Sequence, residues 1–269
     1  VSVATDGATT VSGTHSTTGN VAIAADAITL SDAAGSIAVR ATGTATLVAR
    51  AGGITGAAGL AAVQATTLNA TASGAITLSG NNAIGTLAAI AGTGVTVDNT
   101  IALTAGATGA GGAAIAGDVT LSAPSLRLND VLATGTVNLT ASAGAIDQAA
   151  GARLAAATLR AGATGSIILD GANPDGSARN LIQDIDALAA GGDITLRNAL
   201  ALTLDLPLSV GAGQVLTLEA PSLTLGDDLS AGVGGRIILR TGSFNGGVTS
   251  GTDIIQTGGT ISTPLLAAF

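Results

Sequence analysis

A short phrase recurs along this chain: a glycine, any residue, Ile or Val, any residue, and then Leu, Ile or Val. Its copies begin at Gly35, Gly74, Gly117, Gly135, Gly165, Gly192 and Gly235. Apolar side chains at every second position, placed after a turn residue, are typical of a short β-strand with one buried face. An amphipathic helix would need an apolar period of 3.6, and the period here is two. The phrase therefore predicts a chain of short strands.

The spacing of the phrase predicts how those strands are arranged. Most successive copies are separated by about 20 or about 40 residues, which are one and two multiples of one length, and a fixed period in the range of roughly 20–50 residues is the signature of a solenoid. The intervals that end at Gly165 and Gly192 are closer to one and a half multiples. We therefore predict one all-β domain over residues 1–269, a parallel β-helix, or β-solenoid, with about 20 residues per coil.

A longer repeat lies over the short one. The segment from Gly144 aligns with the segment from Gly52, and Leu169 then falls on Leu78. The sequence DIIQTGG begins the same unit a third time near the end of the chain. We therefore predict super-repeats that start near positions 52, 144 and 250, with a polar insertion at 170–186.

The phrase A-P-S-L-x-L occurs twice inside this longer repeat, at positions 123–128 and 220–225. Pro124 and Pro221 have no backbone N–H to donate to a sheet, so each belongs at a corner before a strand. The alternation that follows predicts that Leu128 and Leu225 point inward. The phrase is therefore interpreted as an architectural signal and not as a catalytic motif.

Composition excludes several functions. The net charge is −8 with no Lys, so the basic surface that nucleic-acid binding requires is missing. The chain has two Phe and no Trp or Tyr to stack on bases. The absence of Cys excludes disulfides, Cys-ligated zinc and thiol chemistry. Small polar residues interrupt every apolar stretch before it reaches about 20 residues, so we predict no membrane span.

Three features together resemble one known family. They are the alternating GDITL strands, the segment AAATLRAGATGSIIL with RNLIQDI after it, and NNAIGTL at the matching place in the earlier copy. In these features the chain resembles the fibrous part of filamentous-haemagglutinin-type exoproteins, and the resemblance covers nearly the whole chain.

The resemblance implies a fold, a location and a role. Proteins of this type are large bacterial surface adhesins secreted through an outer-membrane partner, and their stalks are right-handed parallel β-helices. Their amino-terminal secretion domain carries Asn-Pro-Asn motifs. The nearest match here is NPDG at Asn173, in the middle of the chain, and that role is not carried over to it.

The most polar stretch, 170–186, contains the residues that we single out as a candidate partner-binding loop. They are Asp170, Asn173, Asp175, Arg179 and Asp184. An EF-hand would place Asp first and Glu twelfth, but Gly171 and Ile182 occupy those positions. Clustered Asp and Arg also occur in carbohydrate-active parallel β-helix enzymes. A loop that protrudes from one coil is the preferred interpretation.

Two further residue types were weighed as sites. His15 is the single histidine, so it can form neither a His-paired metal site nor a Ser-His-Asp triad with a recognisable nucleophile elbow. Flat ranks of threonine can order water, and Thr42 begins the alternating segment TGTATL. A genuine rank would repeat at one position in every coil, and the sequence indicates no such repeat. We therefore predict no ice-binding face, no catalytic residue, no cofactor and no required metal.

These observations predict a structural protein and not an enzyme. We expect a stalk or fibre segment of a bacterial cell-surface or secreted adhesin, located outside the cell, whose partners are other coils of a longer chain or identical subunits stacked end to end. Two alternatives stay open: a carbohydrate-active β-helix enzyme, and a self-assembling extracellular filament or surface-layer subunit.

Overall fold

The computed structural model describes residues 1–31, 37–56, 59, 61–108, 114–171, 180–242 and 253–269. Within these ranges the chain is all-β, with 28 strands and no helix. Consequently, the described residues include no helix long and apolar enough to cross a bilayer. The strands pair in parallel with neighbours about 22 residues away in the chain, so the fold is a β-solenoid and the predicted fold class is confirmed.

The chain divides into two compact units. The first contains Val1–Leu126 and Asp130–Gly135, and the second contains Arg127–Asn129 and Thr136–Phe269. The strands of the first unit are β1 (Ser2–Ala4), β2 (Ala8–Ser12), β3 (His15–Thr17), β4 (Val21–Ala25), β5 (Ala27–Ser31), β6 (Ile37–Ala49), β7 (Ile54–Gly56), β8 (Ala61–Ala72), β9 (Ile76–Ala91), β10 (Val95–Asn99), β11 (Leu103–Ala107) and β12 (Val119–Ala123).

The division passes through β13 (Leu126–Leu132), which has residues in both units. The strands of the second unit are β14 (Thr136–Ala141), β15 (Ile146–Gln148), β16 (Leu154–Ala163), β17 (Ile167–Leu169), β18 (Leu181–Ala190), β19 (Ile194–Arg197), β20 (Leu202–Leu204), β21 (Leu208–Val210), β22 (Val215–Ala220), β23 (Leu223–Leu225), β24 (Leu229–Ala231), β25 (Arg236–Thr241), β26 (Ile254–Gln256), β27 (Ile261–Ser262) and β28 (Leu265–Ala268).

Strands of successive coils stack into columns, and each column places its apolar side chains inward. In the first unit Ile54 pairs with Ile76, and Ile76 pairs with Val95 in the next coil, as the spacing predicted. All three side chains are at most 2% exposed. One coil alone cannot cover these side chains, so stacking creates the core.

The second unit is built in the same way. Ile167 pairs with Ile194, Ile194 with Leu216, and Leu216 with Ile237, and all four side chains are fully buried. The coil that runs from Ile167 to Ile194 is longer than the coil that runs from Ile194 to Leu216. The longer coil is the one that contains the polar stretch.

The A-P-S-L-x-L phrase has the predicted position in both of its copies. Pro124 lies in the bend between β12 and β13, and Pro221 lies in the bend between β22 and β23. The leucines that follow point into the core: Leu128 is fully buried and Leu225 is 1% exposed. The proline removes a donor where no ladder bond is needed, and the strand starts two residues later.

The polar stretch differs from the prediction in its second half. Residues 181–186, expected to lie in a protruding loop, form the first part of β18, and Ile182 is fully buried. Ile182 and Ile185 explain the difference, because both side chains are buried in the core and the segment that carries them must join the sheet. The two residues are three positions apart, so β18 departs there from strict two-residue alternation.

Candidate functional site

The structure separates the two described members of the candidate loop. Asp170 directly follows β17, whose last residue Leu169 pairs with Leu196. Asp184 lies inside β18 and pairs with Thr203. The two carboxylates therefore belong to different columns. The other three members, Asn173, Asp175 and Arg179, lie outside the described residues.

Asp170 begins a column of charged residues in the second unit. The pairing of Leu169 with Leu196 puts Asp170 one coil from Arg197; Arg197 pairs with Glu219, and Glu219 pairs with Arg240. We call Asp170, Arg197, Glu219 and Arg240 the charged column. Its signs alternate from coil to coil, so each charge has an opposite charge as its vertical neighbour.

Glu219 is the centre of the charged column, and its side chain is only 6% exposed. Its Oε2 accepts a hydrogen bond from Arg197 Nε at 2.6 Å, and its Oε1 lies 3.5 Å from Arg240 Nη1. Burying a carboxylate costs free energy unless the charge is paired. The two arginines therefore allow the Glu219 side chain to be buried. Arg240 is also 5.9 Å from the centre of the Phe269 ring, within cation–π range.

The charged column escaped prediction because its members are far apart in sequence. Arg197 and Glu219 are separated by a whole coil, and so are Glu219 and Arg240. Only the coil register joins them. Charged residues of opposite sign, spaced at intervals near the coil length, are the signal in the sequence that could have revealed them.

A further ion pair, between β16 and β18, and an unpaired carboxylate oxygen on β18 lie outside the charged column. Arg160 contacts Asp186, but both side chains are substantially exposed, so the pair adds little stability. The Oδ1 atom of Asp184 is buried and has no hydrogen-bond partner among the described residues. Asp184 interrupts a run of threonines, because it pairs with Thr158 on one side and Thr203 on the other.

Buried amides occur in the first unit, where they bridge neighbouring coils. Asn82 Oδ1 accepts a hydrogen bond from the Val63 amide at 2.9 Å, and its Nδ2 donates to the Asp98 carbonyl at 2.9 Å. In the next coil Asn99 Oδ1 accepts from the Ile84 amide at 2.8 Å and Nδ2 donates back to the Ile84 carbonyl at 2.9 Å. These side chains replace backbone ladder bonds where the strands change direction.

The second unit repeats this arrangement with one addition. Asn180 Oδ1 accepts from the Leu154 amide at 2.9 Å, and its Nδ2 donates to the Arg197 carbonyl at 3.0 Å. Gln148 joins it: Gln148 Nε2 donates to Asn180 Oδ1 at 2.7 Å, and Asn180 Nδ2 donates to Gln148 Oε1 at 3.0 Å. These amides are therefore committed to holding coils together.

A groove of about 690 Å³ runs across several coils of the first unit. Its lining includes Thr18, Arg40, Thr42, Gln64 and Thr66. Arg40 Nε donates to Gln64 Oε1 at 2.7 Å, and the Thr66 hydroxyl donates to the Thr42 carbonyl at 2.8 Å. The described lining contains no carboxylate, so this groove has no acid–base pair for glycoside hydrolysis.

The expectation that threonines form no rank is wrong. One column of the first unit carries threonine at the same position in six successive coils. These residues, which we call the threonine column, are Thr10, Thr29, Thr55, Thr77, Thr96 and Thr120. The intervals between them vary because coil lengths vary, so the alignment becomes visible only through the strand pairing.

The described residues offer little to a metal ion. No group of three or more His, Cys, Asp or Glu side chains comes together within the described ranges. His15 lies on the exposed strand β3, and its Nε2 is 3.2 Å from the Ser12 carbonyl oxygen.

Comparison with known proteins adds no family to this description. The chain matches no family model, no curated protein and no solved structure. The resemblance to filamentous-haemagglutinin-type exoproteins stays a prediction from the sequence.

Proposed function

We propose that this chain is a structural stalk segment of a bacterial cell-surface or secreted adhesin. One observation carries the proposal: the six polar residues that are buried as whole residues in the described ranges all bond a neighbouring strand or coil. These side chains are Asn82, Asn99, Gln148, Asn180, Asn198 and Glu219. Polar groups that an enzyme would aim at a substrate are used here for stacking.

Mechanical continuity is what this arrangement supplies. A solenoid is stabilised by contacts between each coil and its neighbours, and within each unit parallel strand pairing joins successive coils. Buried amides and the Glu219 ion pairs add side-chain bonds to those ladders. Such a stack suits a protein whose task is to hold a binding domain away from a surface.

The proposal is tested by locating the protein on its cells. Antibodies against the chain should label intact cells of the source organism, and added protease should remove the label without lysis. The matched control is a cytoplasmic protein, which should be labelled only after lysis. Labelling that needs lysis would overturn the proposed location and the stalk function with it.

The enzyme alternative has weaker support. Asp170 and Asp184 stand in different columns, and the described lining of the groove in the first unit lacks carboxylates. A screen of polysaccharides for depolymerisation, with Asp170→Asn and Asp184→Asn as matched variants, distinguishes the two functions. If the protein depolymerises a polysaccharide and either substitution abolishes that activity, the enzyme function replaces the stalk function.

A self-assembling filament subunit is favoured by a different observation: in each unit one apolar side chain that stacks on a core residue is itself exposed. Leu266 pairs with the buried Ile237 but is itself 47% exposed. Val3 pairs with the buried Ile23 but is 40% exposed. A parallel edge strand with apolar neighbours is a template for another strand.

Sedimentation at increasing protein concentration tests that second function. Self-association that Leu266→Arg and Val3→Arg each reduce would support it, since both substitutions put charge on an uncovered core position. Val233→Arg is the control, because Val233 is 87% exposed in a turn. A sedimentation coefficient that stays constant with concentration would reject the filament.

A further inference from the structure

The threonine column occupies the outward face of one strand column in the first unit. Its members alternate with core residues: Thr29 lies between Ile28 and Leu30, and Thr77 lies between Ile76 and Leu78, with all four apolar neighbours buried. Successive side chains of a strand point to opposite faces, so the threonines face away from the core. Thr10, Thr29 and Thr55 are exposed, and the other three are partly exposed.

The repeat along the threonine column is fixed by the backbone. Parallel strands lie about 4.8 Å apart, so six successive threonines set out hydroxyl and methyl groups at that interval over about 24 Å. Threonine is branched at Cβ, which restricts its side chain to few rotamers. The spacing and the stiffness together give a regular and rigid array.

The hydroxyl groups of three central members of the array, Thr29, Thr55 and Thr77, are available to solvent. No hydrogen bond joins the side chains of Thr29, Thr55 and Thr77 to any other described residue. The groove of the same unit provides a contrast, because there the Thr66 hydroxyl is engaged by the Thr42 carbonyl. Water is therefore the natural partner of the Thr29, Thr55 and Thr77 hydroxyls.

Most described positions beside the threonine column carry small residues. Two residues before each threonine stand Ala8, Ala27, Gly53, Ala75, Gly94 and Asp118. Two residues after five of them stand Ser12, Ser31, Ser79, Asp98 and Ser122. Over the first four coils the described flanking positions carry no charged side chain.

The chemistry of this face selects its ligand. Evenly spaced hydroxyls anchor water molecules, and the methyl groups between them leave those waters to bond one another. An ordered water layer of this kind joins the surface of ice, whose molecules repeat at a similar interval. A charged partner would need charges that the described flanking positions of the first four coils lack, and a stacked sugar would need aromatic rings.

We propose that the threonine column is an ice-binding face. The inference does not depend on the stalk function, since the column lies on the outside of the first unit and uses none of the buried amides. It assigns a ligand, the surface of crystalline water, to residues on the outward face of the stacked coils.

The test measures adsorption of the intact chain to ice. The unsubstituted protein should enter a slowly grown ice hemisphere, slow ice recrystallisation and produce thermal hysteresis in a nanolitre osmometer. Thr55→Tyr and Thr77→Tyr should each remove most of these three activities, because a bulky ring lifts the ice surface from the neighbouring threonines. Circular dichroism and thermal melts verify that both variants keep the fold.

Matched variants separate the face from the protein as a whole. Thr203→Tyr, a partly exposed threonine in the second unit, should leave all three activities unchanged. Thr55→Val keeps the branched shape and Thr55→Ser keeps the hydroxyl, so each should reduce activity less than Thr55→Tyr. Exclusion of the unsubstituted protein from ice would overturn the proposal, as would equal losses in Thr77→Tyr and Thr203→Tyr. Binding to crystalline cellulose without binding to ice would assign the face to a polysaccharide instead.

Discussion

Asn99 in the first unit and Asn198 in the second unit make the same pattern of three hydrogen bonds. Asn99 accepts from the Ile84 amide and donates to the Ile84 and Ile101 carbonyls. Asn198 accepts from the Ile182 amide and donates to the Ile182 and Leu200 carbonyls, at 2.7–3.0 Å. Ile84 and Ile182 are the last residues of the two N-x-I segments in the sequence. Each of these segments therefore belongs to the strand that the asparagine of the next coil holds in place.

These two asparagines predict a large loss of stability when they are truncated. Asn99→Ala and Asn198→Ala each leave the amide and the carbonyl of a buried isoleucine without a partner. Each such group costs about 1–3 kcal/mol, so both variants should unfold at clearly lower urea concentration.

The control for this prediction is Asn81→Ala. Asn81 is exposed and its side chain makes one long bond, 3.5 Å, to the Gly59 carbonyl. Its removal should change stability by less than about 0.5 kcal/mol. Equal urea midpoints for Asn81→Ala and Asn99→Ala would contradict the role assigned to the buried amide.

The leucines of the repeated A-P-S-L-x-L phrase predict a second effect. Leu128→Ala and Leu225→Ala each empty a buried site and should cost about 2–5 kcal/mol in thermal or urea unfolding. Leu265→Ala removes the same atoms from a side chain that is 53% exposed, and should cost far less. If Leu265→Ala is the more damaging variant, the inward assignment of the phrase is wrong.

The sequence was sufficient for the fold because both periods that define it are local. Alternation of apolar residues predicts the strands, and the recurrence of Gly-x-Ile-x-Leu predicts their stacking. Ile76 and Val95 illustrate this, because they pair across a separation in the chain that is close to the expected coil length.

The surface columns could not be predicted in the same way. Thr10 pairs with Thr29 and Thr29 pairs with Thr55, but the second interval is clearly longer than the first. A variable coil length hides a vertical rank, because residues in one column are aligned by strand pairing and not by a constant interval. The partners of Glu219 were missed for the same reason, and only the amides left a local trace, in the N-x-I segments.

The charged column predicts an asymmetry between its two arginines. Arg197→Ala removes the 2.6 Å bond to a buried carboxylate and should cost roughly 2–3 kcal/mol. Arg240→Ala removes a 3.5 Å contact of a side chain that is 46% exposed, and should cost less than about 1 kcal/mol. Urea unfolding of both variants measures the difference. Equal losses would mean that Glu219 does not depend on its shorter contact.

Two glycines of neighbouring coils in the second unit predict opposite outcomes for one substitution. A Cβ atom at Gly191 would collide with the backbone carbonyl oxygen of Thr164 in the preceding coil, whereas a Cβ atom at Gly162 would meet nothing within 4 Å.

Gly191→Ala should therefore cost about 1–3 kcal/mol, because the backbone of one coil must move away from the next. Gly162→Ala should be neutral or stabilise by about 0.4–1 kcal/mol, since alanine restricts the unfolded chain. Thermal melts of the two variants compare the same added methyl group at two positions of one stack. If Gly162→Ala is destabilised while Gly191→Ala is unchanged, the close approach of neighbouring coils is not what requires glycine at position 191.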